Sequence, residues 1–360
     1  MTRVYNFSAG PSAIAESVLK QAQSELLDWN GCGASVMEIS HRSKAFISLA
    51  EQSEQRLRSL LAIPENYRVL FLQGGATTQF AMIPMNLLAD KQRAVYCCTG
   101  AWSQKAIKEA EIYCDVTVAT DSQSDQYTGI AEQSNWTIDT QAAYLHYTDN
   151  ETIHGVEFGY IPDSKGLPLV SDMSSNLLSR PFDVSRFGLI YAGAQKNIGC
   201  AGITVVIVRD DLIGNVISGT PSMLDYSKHA KQGSMLNTPP SWSWYILGLV
   251  LEWIESQGGV NRLAELNREK ADKLYAAIDA SDFYRNPVHP DYRSRMNIPF
   301  LLADSALEPV FLKYAQEAGL EGLKGHRSVG GLRASIYNAM PLSGVERLID
   351  LMNEFERDHG

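Results

Sequence analysis

Residues 167–208 read LPLVSDMSSNLLSRPFDVSRFGLIYAGAQKNIGCAGITVVIV. Three apolar runs divide the stretch: Leu167–Val170, Leu189–Ala192 and Ile203–Val208. Short apolar runs interleaved with amphipathic segments predict strands of a mostly parallel sheet. The turn around Cys200-Ala-Gly202 is short enough to make the last two runs antiparallel neighbours. The first run leads into Asp172, which sets a carboxylate at the C-terminal tip of a parallel strand. Lys196 follows just past the second run, ahead of Gly199 and Gly202. In open α/β sheets ligands bind at that edge.

Working outward, the pattern repeats. Arg68–Leu72 reads as a strand ending at Gly74-Gly75, and Ala94–Thr99 as another, followed by Gly100 and a helical pattern from Trp102 to Tyr113. Val116–Ala119 and Ala143–Tyr147 are further strands. Beyond Trp242 the order changes to helices at 243–257 and 260–280, a strand at Asn297–Leu302, a helix at 308–319, a strand at 331–337 and a helix at 343–357. The predicted class is α/β, with a large, mostly parallel domain over residues 16–258. Residues 1–15 and 259–360 form a smaller α+β domain. The polar stretch Thr120–Thr140 reads as a surface excursion with weak structure.

Composition narrows the possibilities. Apolar residues are 45% and charged residues 20%, which excludes a disordered, collagen-like or coiled-coil chain. A net charge of −10 argues against broad binding to nucleic-acid backbones, while leaving room for one local basic pocket. The five cysteines are odd in number and form no CxxC pair, as expected of reduced thiols in a cytoplasmic protein. The N-terminus, MTRVYNFSAGPSAIAESVL, has no apolar core of a secretion signal. The longest apolar stretch, Ile246 to Ile254, contains Glu252 and is too short to span a bilayer. The expectation is a cytoplasmic protein acting on small molecules, with no nucleic-acid, membrane or metal partner.

Several residues at the strand ends carry chemistry. An aspartate and a lysine on neighbouring strand ends suit pyridoxal phosphate: the lysine bonds the aldehyde, and the aspartate stabilises the protonated pyridine nitrogen. A surface lysine in a glycine-rich turn and a helix-capping aspartate would read the same way. Gln73-Gly-Gly-Ala-Thr-Thr78 follows a strand and opens a helix at Gln79–Leu88, so its free N–H groups can cradle a phosphate; a plain strand–helix turn is the alternative. Trp102 can stack on a flat ring or simply fill the core. Thr152 can bond a phenolic oxygen or cap a turn. His41-Arg42 and His326-Arg327, with Arg333, form an anion pocket if they cluster and surface ion pairs if they do not.

Together these segments resemble the phosphoserine aminotransferase family, within the fold-type I pyridoxal-phosphate enzymes. The resemblance runs through Asn6-Phe-Ser-Ala-Gly-Pro11, Ser40-His-Arg-Ser-Lys44, Gly74-Gly-Ala-Thr-Thr-Gln79, Thr99-Gly-Ala-Trp-Ser103 and Asn150-Glu-Thr-Ile-His-Gly155. It continues through Asp172-Met-Ser-Ser175, Ala194-Gln-Lys-Asn197, Asn237-Thr-Pro-Pro240 and His326-Arg-Ser-Val-Gly-Gly-Leu-Arg-Ala-Ser335. It implies a fold-type I transferase with a large domain of the seven-stranded type, and Lys196 as the Schiff-base lysine with Asp172 on the pyridine nitrogen. Trp102 would stack on the ring and Thr152 would bond its O3′. Ala76, Thr77 and Gln195 would hold the phosphate, joined by Asn237 and Thr238 from the other subunit of a homodimer. Some members carry an arginine in the phosphate-loop turn where this chain has threonine.

The resemblance also implies that His41, Arg42, His326, Arg327 and Arg333 bind the substrate's phosphate and carboxylates. The implied reaction passes the amino group of L-glutamate to 3-phosphohydroxypyruvate in serine biosynthesis. A related phosphorylated threonine precursor, in pyridoxine biosynthesis, is a second expected substrate. Two other readings compete. A cysteine desulfurase of the same fold type needs a nucleophilic cysteine late in the chain, and none follows Cys200. A non-enzymatic nucleotide-binding α/β protein would leave Lys196 on the surface.

Overall fold

Strand Leu169–Asp172 lies at the centre of a seven-stranded sheet in the computed structural model, which describes residues 3–360. On one side lie Leu145–Thr148, Arg93–Cys98 and Asp115–Asp121; on the other, Leu189–Gly193, Thr204–Arg209 and Tyr67–Leu72. Pairing is parallel except at Thr204–Arg209, which is antiparallel to both of its neighbours. The expected antiparallel pair around Cys200 is therefore present. The central strand starts at Leu169 and not at Leu167 because Pro168 has no N–H to donate. Its carbonyl still accepts from Leu145 N–H at 3.0 Å.

Both faces of this sheet are buried, which is why its strands read as unbroken apolar runs. Alternate side chains divide between two cores. Phe71, Ile190, Ala192 and Val205 pack with Phe46, Leu57 and Trp244 from helices Lys44–Leu61 and Ser241–Ser256. Leu70, Tyr191, Val206 and Val208 face Phe80, Ile83 and Ala106 from helices Gly75–Leu87 and Ala101–Ala110. Each fully buried Leu, Ile or Val contributes about 1.5–3 kcal/mol to this stacking. All of the parallel strands end on the same edge.

A third core brings Phe7 together with Leu274, Phe300, Phe311, Leu348 and Phe355. It is built on the antiparallel strands Tyr284–Arg285, Asn297–Leu302 and Leu332–Ser335, with helices Glu308–Glu317 and Leu342–His359. The N-terminal strand Tyr5–Asn6 pairs parallel with Leu320–Glu321, and Met1 and Thr2 lie outside the described residues. Helix Gly259–Asp279 is shared: Val260 and Leu263 belong to the large core, whereas Ala271, Leu274 and Ile278 belong to the third.

The polar stretch at 120–140 meets the sequence expectation only in part. It contains only two short 3-10 turns, Gln123–Asp125 and Gln133–Asn135, yet Tyr127, Ile130 and Trp136 are buried. Trp136 packs edge-on against Phe158 and donates to Ala131 O at 2.9 Å. Three anchors fix a segment whose intervening residues are polar, so average polarity concealed its packing.

Buried polar side chains join residues of the large sheet's connections to the segment around strand Asn297–Leu302 and to Asn338. Asn150 Nδ2 donates to Ser175 Oγ and Asn297 Oδ1, both at 2.8 Å, and Asn338 N–H donates to Asn197 Oδ1 at 3.0 Å. Gly155, at φ +74°, approaches the same strand, and an added Cβ would stand 2.3 Å from Pro299 Cδ and 2.8 Å from Asn297 O. Gly155→Ala should therefore cost about 2–5 kcal/mol, from left-handed strain plus overpacking. Gly159→Ala, with nothing within 4 Å of its Cβ, should stay within about 0.5 kcal/mol. Denaturant unfolding of both variants measures the difference, and equal stability would contradict the close approach.

Among the described residues no helix is long and apolar enough to cross a membrane. No group of three or more His, Cys, Asp or Glu among them could hold a metal ion.

Candidate active site

The carboxyl ends of the parallel strands open onto a cavity of about 360 Å³. Its lining includes Ala76, Thr77, Trp102, Thr152, Asp172, Gln195, Lys196, His326 and Arg333, nine of the residues singled out in the sequence. Seven of them come from the chain at the carboxyl ends of five strands that point the same way, whereas His326 and Arg333 come from the segment that leads into and forms strand Leu332–Ser335.

Lys196 sits in the turn after Leu189–Gly193. Its backbone is clamped by the N-terminal segment: Ser12 Oγ donates to Lys196 O at 2.5 Å, and Ser12 N–H donates to Gln195 O at 3.0 Å. Lys196 Nζ donates to Thr152 Oγ1 at 2.7 Å and lies 5.3 Å from the centroid of the Trp102 ring. Burial lowers its pKa from the ordinary lysine value to about 8, against the opposing pull of the Asp172 and Glu151 carboxylates. A lysine so placed is partly neutral near physiological pH, as a nucleophilic amine must be.

Asp172 is 5% exposed. Burial raises its pKa, while the Lys196 charge and bonds from Ser174 pull it back. Ser174 N–H donates to Asp172 Oδ1 at 2.9 Å, and Ser174 Oγ in turn accepts from Gly193 N–H at 3.1 Å. The serine thus ties the carboxylate to the strand that leads to Lys196. A buried carboxylate of this kind suits a cationic partner inside the cavity.

One end of the cavity is a helix start. Helix Gly75–Leu87 begins after Gly74, at φ 95°, with no side-chain cap, so its first N–H groups are free for an anion. Glycine is required there, since a Cβ on Gly74 would fall 2.0 Å from Thr78 Oγ1. Two polar atoms at the cavity, Trp102 Nε1 and Arg333 Nε, are buried without hydrogen-bond partners. An amine, a buried carboxylate, a flat indole and an uncapped helix N-terminus are together the donor set for a cationic aromatic ring carrying a phosphate. The residues fit pyridoxal phosphate.

Five sequence candidates do not line this cavity within one chain. His41 and Arg42 line a different cavity of about 380 Å³, beside Ala50, Phe71, Met235 and Trp244. They precede helix Lys44–Leu61, whose packing partner is helix Ser241–Ser256 on one face of the sheet and not its carboxyl edge. Asn237 and Thr238 lie beside Gln73, whose Nε2 donates to Asn237 Oδ1 and Thr238 O, each at 3.3 Å. Arg327 is exposed next to His326 and is absent from the cavity lining. Sequence reading passed over Ser12, Ser174 and Glu151. Glu151 gave one signal, an acidic residue directly before the candidate Thr152 at a strand tip.

The chain matches the family model of class-V aminotransferases over residues 4–348. It is 57% identical to the phosphoserine aminotransferase of Coxiella burnetii over 361 residues, covering all of both chains. Among solved structures it superposes with TM-score 0.97 on the phosphoserine aminotransferase of Bacillus circulans subsp. alkalophilus, at 49% identity over 99% of each chain. The pyridoxal-phosphate-bound phosphoserine aminotransferase of Trichomonas vaginalis matches with TM-score 0.94 and 40% identity, over 98% of this chain and 100% of that one.

Proposed function

The chain belongs to the class-V aminotransferases, and on that premise we propose that it transfers the amino group of L-glutamate to 3-phosphohydroxypyruvate, giving 2-oxoglutarate and O-phospho-L-serine. It is a pyridoxal-phosphate-dependent transaminase. When bound, the cofactor supplies an aldehyde that accepts the amino group and a ring that withdraws electrons from the substrate α-carbon. The observation that carries the reading is Lys196 Nζ, held by Thr152 on the rim of Trp102 in a cavity that also contains Asp172.

Each residue then has a task its position suits. Lys196 would hold the cofactor through Nζ and, as a neutral amine, move a proton at the substrate α-carbon. Thr152 Oγ1 holds Nζ in place and would bond the ring's O3′. Asp172 would pair with the ring nitrogen, and the free N–H groups of Ala76 and Thr77, with Gln195, would take the phosphate. Arg333 and His326 line the same cavity and bind substrate anions, with Arg327 beside them. The two half-reactions present to one pocket substrates that each carry two anionic groups, and arginine's planar fork reads carboxylate and phosphate alike.

His41, Arg42, Asn237 and Thr238 lie away from Lys196 in their own chain, so we infer a homodimer in which they complete the cavity of the partner subunit. A coupled assay with 3-phosphohydroxypyruvate and with the phosphorylated threonine precursor tests the reaction. Turnover with neither oxo acid would reject it. The sharing of sites is tested by mixing Lys196→Ala chains with an Asn237→Ala/Thr238→Ala variant. Random pairing makes half the dimers hybrid, each with one intact site, so about a quarter of wild-type activity should return. No recovery from proven hybrids would place these residues in their own chain's site or in none.

A further inference from the structure

We propose that Glu151 is a positioning residue, whose buried carboxylate holds Trp102 and Thr152 together at the cavity. The inference rests on the cofactor site described above and adds a residue to its support. Glu151 is 0% exposed. Its Oε2 accepts from Trp102 N–H at 3.0 Å, and its Oε1 accepts from Ser103 N–H at 2.9 Å and from Ser103 Oγ at 2.7 Å. The other buried carboxylates nearby are used differently: Asp149 pairs with Arg180, Glu157 with Arg180 and Arg295, and Asp172 accepts from Ser174 N–H. Glu151 spends its charge on a helix start.

That helix, Ala101–Ala110, begins after Gly100, which has no side chain to cap it. Glu151 supplies the cap from 48 residues away, and its charge also suits the positive end of the helix dipole. Contact is tight: a Cβ on Gly100 would lie 2.5 Å from Glu151 Cδ. The bonded N–H is that of Trp102 itself, so the carboxylate fixes the backbone from which the indole projects. The next residue along, Thr152, receives Lys196 Nζ–H at 2.7 Å. One side chain therefore sets the position of the ring platform relative to the residue that orients the lysine.

The test uses the holoprotein and reads the visible circular dichroism of bound pyridoxal phosphate, which depends on how its neighbours hold the ring. The parent protein must show such a band; its absence would count against the cofactor site, not against Glu151. In Glu151→Gln an amide NH₂ replaces one oxygen and faces N–H donors. The band should fall by about half or more and the cofactor Kd should rise about tenfold, as for one weakened charge-assisted hydrogen bond. Glu157→Gln is the control: it should lose stability while both cofactor readings stay within about twofold. If Glu151→Gln does not fold, Ser103→Ala, which removes one of the three donors, should move both readings in the same direction by less. Unchanged dichroism and Kd in whichever variant folds, or equal changes in Glu157→Gln, would overturn the proposal.

Discussion

Lys196→Ala should lose transamination by on the order of 10⁴-fold or more while remaining folded. No other primary amine lines the cavity: its remaining titratable groups are the Asp172 carboxyl, the His326 imidazole and the Arg333 guanidinium. The substitution leaves little damage behind: Nζ has one hydrogen-bond partner, Thr152 Oγ1, and that hydroxyl faces a cavity that admits water. The sharp alternative is Lys105, whose Nζ lies 4.2 Å from the centroid of the same Trp102 ring, closer than Lys196. Lys105 does not line the cavity, however. Borohydride reduction followed by peptide mapping separates the two, since it fixes the cofactor on whichever lysine holds it. A label on Lys105 would sink the assignment. The pH dependence of cofactor uptake by the cofactor-free protein gives a second check. Only the neutral amine attacks the aldehyde, so uptake should quicken as pH rises and level off above about 8, where the Lys196 amine has lost its proton. An ordinary lysine, with a pKa near 10.4, would keep accelerating for roughly two further pH units.

How far this site could be read in advance follows from where its information lies. Asp172, Lys196, Trp102, Thr152 and the Gly74-Gly75 turn each stand directly after a strand, and those strands are buried on both faces. Continuous apolar runs therefore announce them, and parallel pairing sends all of their ends to one edge. The convergence needs no knowledge of side-chain packing. His41, Arg42, Asn237 and Thr238 are different, because no local pattern states which edge of the sheet, or which chain, they serve. The structure of a single chain leaves them outside the cavity, so the role proposed for them rests on the homodimer proposed above.

Glu151 and the 120–140 segment hide their packing in different ways. Glu151 has no task legible between Asn150 and Thr152, because it accepts from backbone N–H groups 48 and 49 residues upstream. The legible clue was negative: a helix starting at Gly100 with no side chain to cap it. The 120–140 segment has the weak regular structure its polarity implies, but Tyr127, Ile130 and Trp136 are buried. Three anchors scattered through a polar stretch barely move an average.

Asp172→Asn should keep the cofactor and lose about 10²- to 10³-fold in kcat, the usual cost of removing one preorganised electrostatic group. The substitution distinguishes two roles that the structure superimposes. Asp172 Oδ1 accepts from Ser174 N–H two residues ahead, the geometry of an aspartate turn. Asparagine forms the same turn through its amide oxygen, so a purely structural residue would tolerate the change. What asparagine lacks is the negative charge. Without it the cofactor's ring nitrogen would have no anion to keep it protonated, and the ring would withdraw fewer electrons from the substrate α-carbon. The change also removes the Asp172 charge that holds the Lys196 pKa up, so the lysine should titrate below about 8 in the variant. Rate and titration should therefore move together: kcat falls, and the pH at which cofactor uptake levels off shifts downward. Turnover near that of the parent, with the same pH dependence, would reduce Asp172 to a turn-former and leave the ring nitrogen without an assigned partner.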